Sequence, residues 1–223
     1  MKKRYVTGMI ALSLCLGTSV AQAQYYYYLP RDAGPQLLLD VGPSFFQDSR
    51  LTQFGGSASS PVNFETGLAF DVAFGWAFNK YVATDFELGY IGAKLNSVPG
   101  YYSDNTRLYN IPFLVNVTFS YPIAHTILVP YVGAGVGGAD MIFDTDSFSD
   151  GADTVVGSED DVVLAGQVFA GMRFQLSQNF SLDLGYKYFA TGDPTFTYPP
   201  DNFNVGFRGV RTHSILLSLV WKF

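Results

Sequence analysis

The sequence predicts an all-β fold: an eight-stranded antiparallel up-and-down transmembrane β-barrel. First, large apolar residues recur at every second position in eight segments, and a period of two is typical of strands. Second, only 14% of the residues are charged while 17% are aromatic, whereas soluble domains carry about 25% charged residues. Third, three short connections alternate with four long ones, as in barrels with short periplasmic turns and longer external loops.

Residues 1–23 have the pattern of a secretory signal peptide. Residues 2–4 are basic, residues 9–16 are apolar, and Ala21-Gln22-Ala23 is a small-residue cleavage motif. We therefore expect residues 24–223 to form a single barrel domain after cleavage. The only cysteine, Cys15, lies in the signal segment, so the mature chain is expected to have neither disulfides nor thiol chemistry.

Eight strands are predicted in chain order. The alternation is clearest over residues 67–78, where six large apolar residues are separated by Gly, Ala and Asp. Residues 55–61, 96–107, 140–161 and 191–210 are predicted to be loops from their Gly, Pro and polar content, and the loop at 140–161 holds eight acidic residues and no basic one. The predicted strands are approximately 36–46, 68–78, 82–90, 108–121, 126–139, 162–176, 180–188 and 211–223.

The narrow lumen of such a barrel determines which face of each strand looks inward. An eight-stranded lumen is only wide enough for side chains to fill it, so the small and polar set is expected inside and the large apolar set against lipid. An unpaired charge inside would cost several kcal/mol, which favours a structural ion-pair network that neutralises itself over a catalytic site. The inward set contains Asp40, Asp71, Asp85, Glu87, Arg173, Asp183, Lys187 and Lys222.

A glycine-rich run, Pro130-Tyr131-Val132-Gly133-Ala134-Gly135-Val136-Gly137, lies in the fifth predicted strand. A dinucleotide-binding fingerprint would require a following helix, and no helical pattern follows. The alternate glycines instead place a row without side chains on the luminal face. Together with Asn110-Ile111-Pro112-Phe113-Leu114-Val115-Asn116, the run resembles the OmpA/OmpX-like outer-membrane β-barrel family over about residues 36–223.

The resemblance implies an integral outer-membrane protein with a structural or surface-interaction role and a lumen filled by polar side chains. The alternation of short turns and long loops predicts that both termini lie in the periplasm, and a monomer is expected. The expected partners are outer-membrane lipid, lipopolysaccharide and the barrel assembly machinery. The terminal Trp221-Lys222-Phe223 resembles the closing strand of such barrels, so Trp221 and Phe223 are interpreted as an assembly signal.

Two other functions are alternatives to this interpretation. A small OmpW-like passive channel would require an open lumen. A lipid A-modifying enzyme would use a Ser-His pair, but His213 and Ser214 are adjacent on a strand and therefore point to opposite faces. We expect no enzyme activity.

Composition and motif spacing give no cofactor, metal or nucleic-acid site. The spacing of the aspartates near Asp146 does not fit a calcium-binding EF-hand, so neither a metal nor a cofactor is expected. Removal of the three basic signal residues changes the formal charge from −6 to −9, which excludes a nucleic-acid binder.

Deletion of Phe223 is expected to impair delivery to the outer membrane more than it impairs the finished barrel. An aromatic ring at the membrane interface contributes little to a completed barrel, whereas a recognition signal acts during assembly. The measurements are the amount of the variant in the outer-membrane fraction and its refolding yield from urea into detergent. Equal losses in both measurements would contradict the assembly-signal interpretation.

Overall fold

The computed structural model describes residues 33–199 and 202–223. The predicted signal peptide at 1–23 and the first residues of the predicted barrel domain lie outside these ranges. No helix within them is long and apolar enough to span a membrane.

The described residues form thirteen β-strands. Eight of them build a barrel and five lie at the end where the long connections are. The barrel strands are β1 (Gly34–Phe46), β4 (Gly67–Ala77), β5 (Val82–Ser97), β7 (Arg107–Ser120), β8 (Leu128–Ser149), β9 (Thr154–Gln175), β10 (Phe180–Thr191) and β13 (Arg211–Lys222). The others are β2 (Ser49–Phe54), β3 (Gly56–Phe64), β6 (Tyr102–Asp104), β11 (Thr195–Tyr198) and β12 (Phe203–Phe207).

The eight barrel strands form a ring in which each pairs antiparallel with the next. The ladder runs from β1 through β4, β5, β7, β8, β9 and β10 to β13, and β13 pairs again with β1. At the closing seam, Leu37 lies between Phe74 on one side and Trp221 on the other. The predicted eight-stranded up-and-down architecture is therefore confirmed.

The two faces of the strands divide as the alternation predicts. On β4, the inward Ala69, Asp71 and Ala73 are almost fully buried, whereas the outward Phe74 is 60% exposed and Trp76 is 50% exposed. Large exposed apolar side chains of this kind surround the whole ring. Such a surface suits a hydrocarbon environment, because alternate residues contact lipid in a transmembrane barrel.

Three of the four predicted loops are largely β-structure, and the boundaries given for them are wrong. Residues 55–61 fall mainly in β3, and residues 191–210 contain β11 and β12. The acidic segment 140–161 belongs almost entirely to β8 and β9, which pair as far as Ser149 and Thr154. Period-two alternation continues through these segments, but their Gly, Pro and acidic residues obscure it, and a bulge between Thr145 and Phe148 shifts the register.

The tip of the β8–β9 hairpin is a tight turn. The Asp150 carboxylate accepts hydrogen bonds from the backbone N–H groups of Ala152 and Asp153, at 2.9 and 2.8 Å. The N–H groups of Asp153 and Ala152 lower the pKa of Asp150 because they stabilise its charged form. Gly151 has φ of +93°, which a residue with a Cβ adopts only at a cost.

The strands beyond the barrel help to enclose a hydrophobic cluster, which we call the hairpin core. β11, β12, β2 and β3 pair in that order, and β3 joins β5 where Asn63 faces Ser97. Phe143 is at the centre, with its ring centroid 5.1–5.6 Å from those of Phe148, Phe196 and Phe207. The buried members are Leu51, Phe54, Val62, Leu95, Val98, Leu108, Met141, Phe143, Phe148, Val155, Phe196, Tyr198, Val205, Phe207 and Val210.

Substitution of Val115 by Arg is expected to destabilise the barrel by about 2–4 kcal/mol, the cost of a lipid-facing cation near the bilayer midplane. Val115 lies on the outward face of β7 and is 56% exposed. Val156→Arg is the matched control, since Val156 is 63% exposed but lies in the β8–β9 hairpin beyond the barrel. Urea titration in lipid vesicles measures both. Equal destabilisation of the two variants would contradict the assignment of the lipid-facing surface.

Candidate functional site: the filled lumen

The polar network inside the lumen is organised around Lys187, which projects inward from β10. Its Nζ donates hydrogen bonds to Asp71 Oδ2 at 2.7 Å and to Glu87 Oε1 at 2.8 Å. All three side chains are at least 95% buried. A lysine between two carboxylates links β10 to β4 and β5 on the opposite wall, so the interaction spans the barrel.

A second ion pair lies on neighbouring strands. Arg173 on β9 and Asp183 on β10 are register partners. Arg173 Nε and Nη2 both donate to the Asp183 carboxylate at 2.8–3.0 Å. This forked geometry is among the stronger charge-assisted arrangements in proteins. The guanidinium also lies 5.6 Å from the ring centroid of Tyr131, so it has an aromatic contact as well.

Two amide side chains connect the carboxylates. Asn116 Nδ2 donates to Asp85 at 2.7 Å and to Glu87 at 2.8 Å, and Gln167 Nε2 donates to Glu87 and to Asn116 Oδ1. Gly135 lies between Asn116 and Gln167 in the ladder, and a Cβ there would come within 1.9 Å of Asn116 Oδ1. The luminal glycine row therefore makes room for this amide contact.

Neither amide was in the predicted network. Their inward position could be read from the same alternation that identified the carboxylates, since Asn116 and Gln167 share the parity of the luminal residues on their strands. The predicted network contained charged residues alone and therefore did not include these amides. Once buried, however, an amide donor satisfies a carboxylate oxygen as directly as a lysine does.

The eight charged residues predicted to lie inside are distributed over most of the lumen. Asp40 and Asp71 are register partners on the neighbouring strands β1 and β4. Lys222 is also buried but lines a separate cavity with Gln36 and Gln175, near the short turns. In formal charge, five carboxylates against three cations leave two negative charges, so ion pairing does not neutralise the whole set. The uncharged amides donate hydrogen bonds to Asp85 and Glu87 without changing this charge.

Two cavities inside the barrel are small. A cavity of about 40 Å³ lies among Asp40, Asp85, Glu87, Asp183 and Arg173, and the cavity beside Lys222 is about 20 Å³. About 10–15 Å³ of cavity volume accommodates one water molecule, so each of the two cavities has room for a few water molecules at most.

An apolar layer separates the polar network from the hairpin core. It contains Ala69, Ile91, Leu114, Ala139, Ala165, Phe189 and Leu216.

Within the hairpin core, Tyr198 Oη donates a hydrogen bond to the backbone oxygen of Phe143 at 3.2 Å. Burial raises the pKa of the Tyr198 phenol, and the nearby carboxylates of Glu159 and Asp144 raise it further, so this hydroxyl keeps its proton and remains a donor.

His213 and Ser214 point to opposite faces, as predicted from their adjacency. Ser214 is 1% exposed, and its Oγ is 2.9 Å from Ser44 Oγ inside the barrel. His213 lies outside, where its ring is hydrogen-bonded to Gln47 and to the hydroxyl of Tyr186. The arrangement contains no Ser-His contact at this position.

The acidic β8–β9 hairpin spreads its carboxylates over both strands. Within residues 33–199 and 202–223, no three His, Cys, Asp or Glu side chains come together in a way that could hold a metal ion. Asp150 binds its own turn, and Asp146 accepts a hydrogen bond from Asn105.

A family model matches the whole barrel, and individual proteins match part of it. The family model described as "Outer membrane protein beta-barrel domain" matches residues 10–223. An uncharacterized protein of Brucella suis is 29% identical over 145 residues, which is 55% of this chain and 51% of that protein. A second from Brucella melitensis matches equally. The match therefore spans about half the length of these curated relatives.

Two solved structures have the same fold. Neisserial surface protein A has a TM-score of 0.52 at 19% identity, covering 86% of this chain and 99% of its own. The outer membrane protein OprG of Pseudomonas aeruginosa has a TM-score of 0.54 at 12% identity, covering 87% of this chain and 99% of its own. At these identities the likeness shows the fold alone.

Substitution of Lys187 by Met is expected to destabilise the barrel by about 3–5 kcal/mol, because it leaves Asp71 and Glu87 buried without their cation. Adding Asp71→Asn and Glu87→Gln to the same variant removes those charges, and we expect it to recover most of the loss. Urea titration in detergent measures both. A single variant as stable as the wild type, or a triple variant no better than the single one, would contradict the role of Lys187.

Proposed function

The chain belongs to the outer membrane protein beta-barrel domain family, and from this premise we propose that it is a closed membrane anchor that carries a small β-structured platform at the cell surface. Its role is structural or one of surface interaction. The barrel holds the chain in the outer membrane, and the hairpin core makes the surface strands one body with it.

The filled lumen is the observation that carries this proposal. The polar network around Lys187, the apolar layer and the hairpin core occupy successive levels of the barrel. The cavities of about 40 and 20 Å³ are small for a solute path. These features favour a closed barrel over the OmpW-like passive channel.

The lengths of the connections support the orientation that we propose. β4–β5, β7–β8 and β9–β10 are joined by a few residues each, whereas β8 and β9 extend far beyond the ring at the other end. Transmembrane barrels have short periplasmic turns and long external loops. We therefore assign both termini to the periplasm and the hairpin core to the outside.

The platform offers surfaces for partners of the envelope. The outward face contacts membrane lipid and lipopolysaccharide, and the barrel assembly machinery acts on the closing strand, with Trp221 and Phe223 as its signal. The proposed state is a monomer without cofactor. A non-enzymatic role is supported by the separation of Ser214 from His213.

Planar-bilayer recording tests the closed lumen. The refolded full chain is expected to insert without stepwise conductance, since a solute would have to displace the Lys187 ion pairs and the aromatic rings above them. An open porin recorded in the same bilayer is the control for detection, and heat-modifiable gel migration confirms that the chain has folded. Regular conductance steps from the folded chain would contradict the closed lumen and favour the passive channel.

A further inference from the structure

Three arginines share one concave pocket on the outside of the molecule, at the end that carries the hairpins. Arg50, Arg208 and Arg211 line a space of about 250 Å³, together with Asp48, Ser49, Pro61 and Gly209. The described residues include six exposed basic side chains, the other three being Lys80, Lys94 and Arg107. Half of them therefore meet in one place, on a chain with a formal charge of −6.

The backbone holds this pocket in a defined shape. The N–H of Arg208 donates to the carbonyl oxygen of Arg50 at 2.8 Å, and the N–H of Gln47 donates to that of Arg211 at 2.9 Å. Ser49 Oγ donates to the carbonyl oxygen of Arg208 at 2.7 Å. The start of β2 and the residue Gln47 before it are thus tied to Arg208 and to the start of β13, and these hydrogen bonds bring the three arginines together.

The guanidinium groups retain donor capacity. Arg50 Nη1 donates to Ser59 Oγ at 2.8 Å. The ion pairs within 4.0 Å formed by residues 33–199 and 202–223 join Arg173 and Lys187 to their carboxylates and do not involve these three arginines. Asp48 is the one carboxylate in the pocket lining, so the net charge of the lining favours an anion.

The pocket lies immediately beyond the lipid-facing surface. Arg211, His213, Ile215 and Leu217 follow one another on the outward face of β13. Ile215 is 50% exposed and Leu217 is 49% exposed, and His213 lies against the ring of Tyr188. The outward face of β13 thus passes from apolar residues to an aromatic level and then to a cation. A membrane protein shows the same order from the hydrocarbon core through the interface to the lipid headgroups.

We propose that this pocket binds the phosphate group of a lipid in the outer leaflet, with the acyl chains along the apolar face of β13 below it. Arginine recognises phosphate through forked, charge-assisted hydrogen bonds. Continuity with the apolar face favours a lipid-borne phosphate over a soluble one. The inference rests on the orientation proposed above but is independent of whether the lumen conducts.

Native mass spectrometry of the refolded full chain in detergent tests the proposal, with bisphosphorylated lipid A as the probe. Replacing both Arg208 and Arg211 by Gln is expected to weaken lipid A binding about tenfold or more, since each arginine loses hydrogen bonds to a charged group. The matched control replaces Lys94 and Arg107 by Gln. These two residues are register partners with outward side chains on β5 and β7. The control removes an equal number of positive charges, and we expect it to leave lipid A binding unchanged.

A third variant tests the sign of the effect. Asp48→Asn removes the carboxylate from the pocket and is expected to strengthen lipid A binding. Heat-modifiable migration verifies that every variant is folded.

Three results would overturn the proposal. The first is an equal loss of binding in the two double variants, which would indicate an effect of net charge. The second is equal binding of dephosphorylated lipid A with the same acyl chains. The third is displacement of lipid A by inorganic phosphate at a matching phosphate concentration, which would indicate a soluble-anion site.

Discussion

Closure of the backbone ladder is the constraint on which the rest of this structure depends. Within hydrocarbon, an unpaired N–H or C=O group costs several kcal/mol, so a sheet that crosses a bilayer has to end where it began. The pairing of β1 with both β4 and β13 meets that requirement. With eight strands in the ring, the interior is only as wide as its side chains. The alternation of small and large residues along each strand follows from this width.

The narrow interior then determines the chemistry of each level. Polar side chains that enter the lumen are shielded from bulk water, so hydrogen bonds across or along the wall stabilise them. Lys187 reaches Asp71 and Glu87 for this reason, and Asn116 meets Gln167 over the bare backbone of Gly135. Towards the hairpins the ring continues as strands with inward aromatic residues, which exclude water without needing partners.

The sequence predicted the ring well because period-two alternation is a local property that survives in any register. It identified the inward face of each barrel strand, and hence the buried carboxylates and cations. It did not identify which charges pair, because partners such as Lys187 and Asp71 are 116 residues apart and meet only through the accumulated register of the ladders. The sequence analysis did not predict the hairpin core. Apolar residues do recur at every second position in two short runs there, Phe196 and Tyr198 in one and Phe203, Val205 and Phe207 in the other. These runs are flanked by prolines, glycines and charged residues, which suggest loops.

The hairpin core also restricts how the exposed end of the molecule is able to diversify. In β8 and β9 beyond the ring, one face of each strand contributes rings such as Phe143 and Phe148 to the shared interior, whereas the other carries freely exposed side chains such as Val156. With the hairpin core on the outside of the cell, as we propose, an external protein would meet the second set and the tip at residues 150–153 of this hairpin. Substitutions that leave the shared interior intact are therefore expected at alternate positions and at the tip, and insertions of a single residue within the strands are disfavoured because they would exchange the two faces.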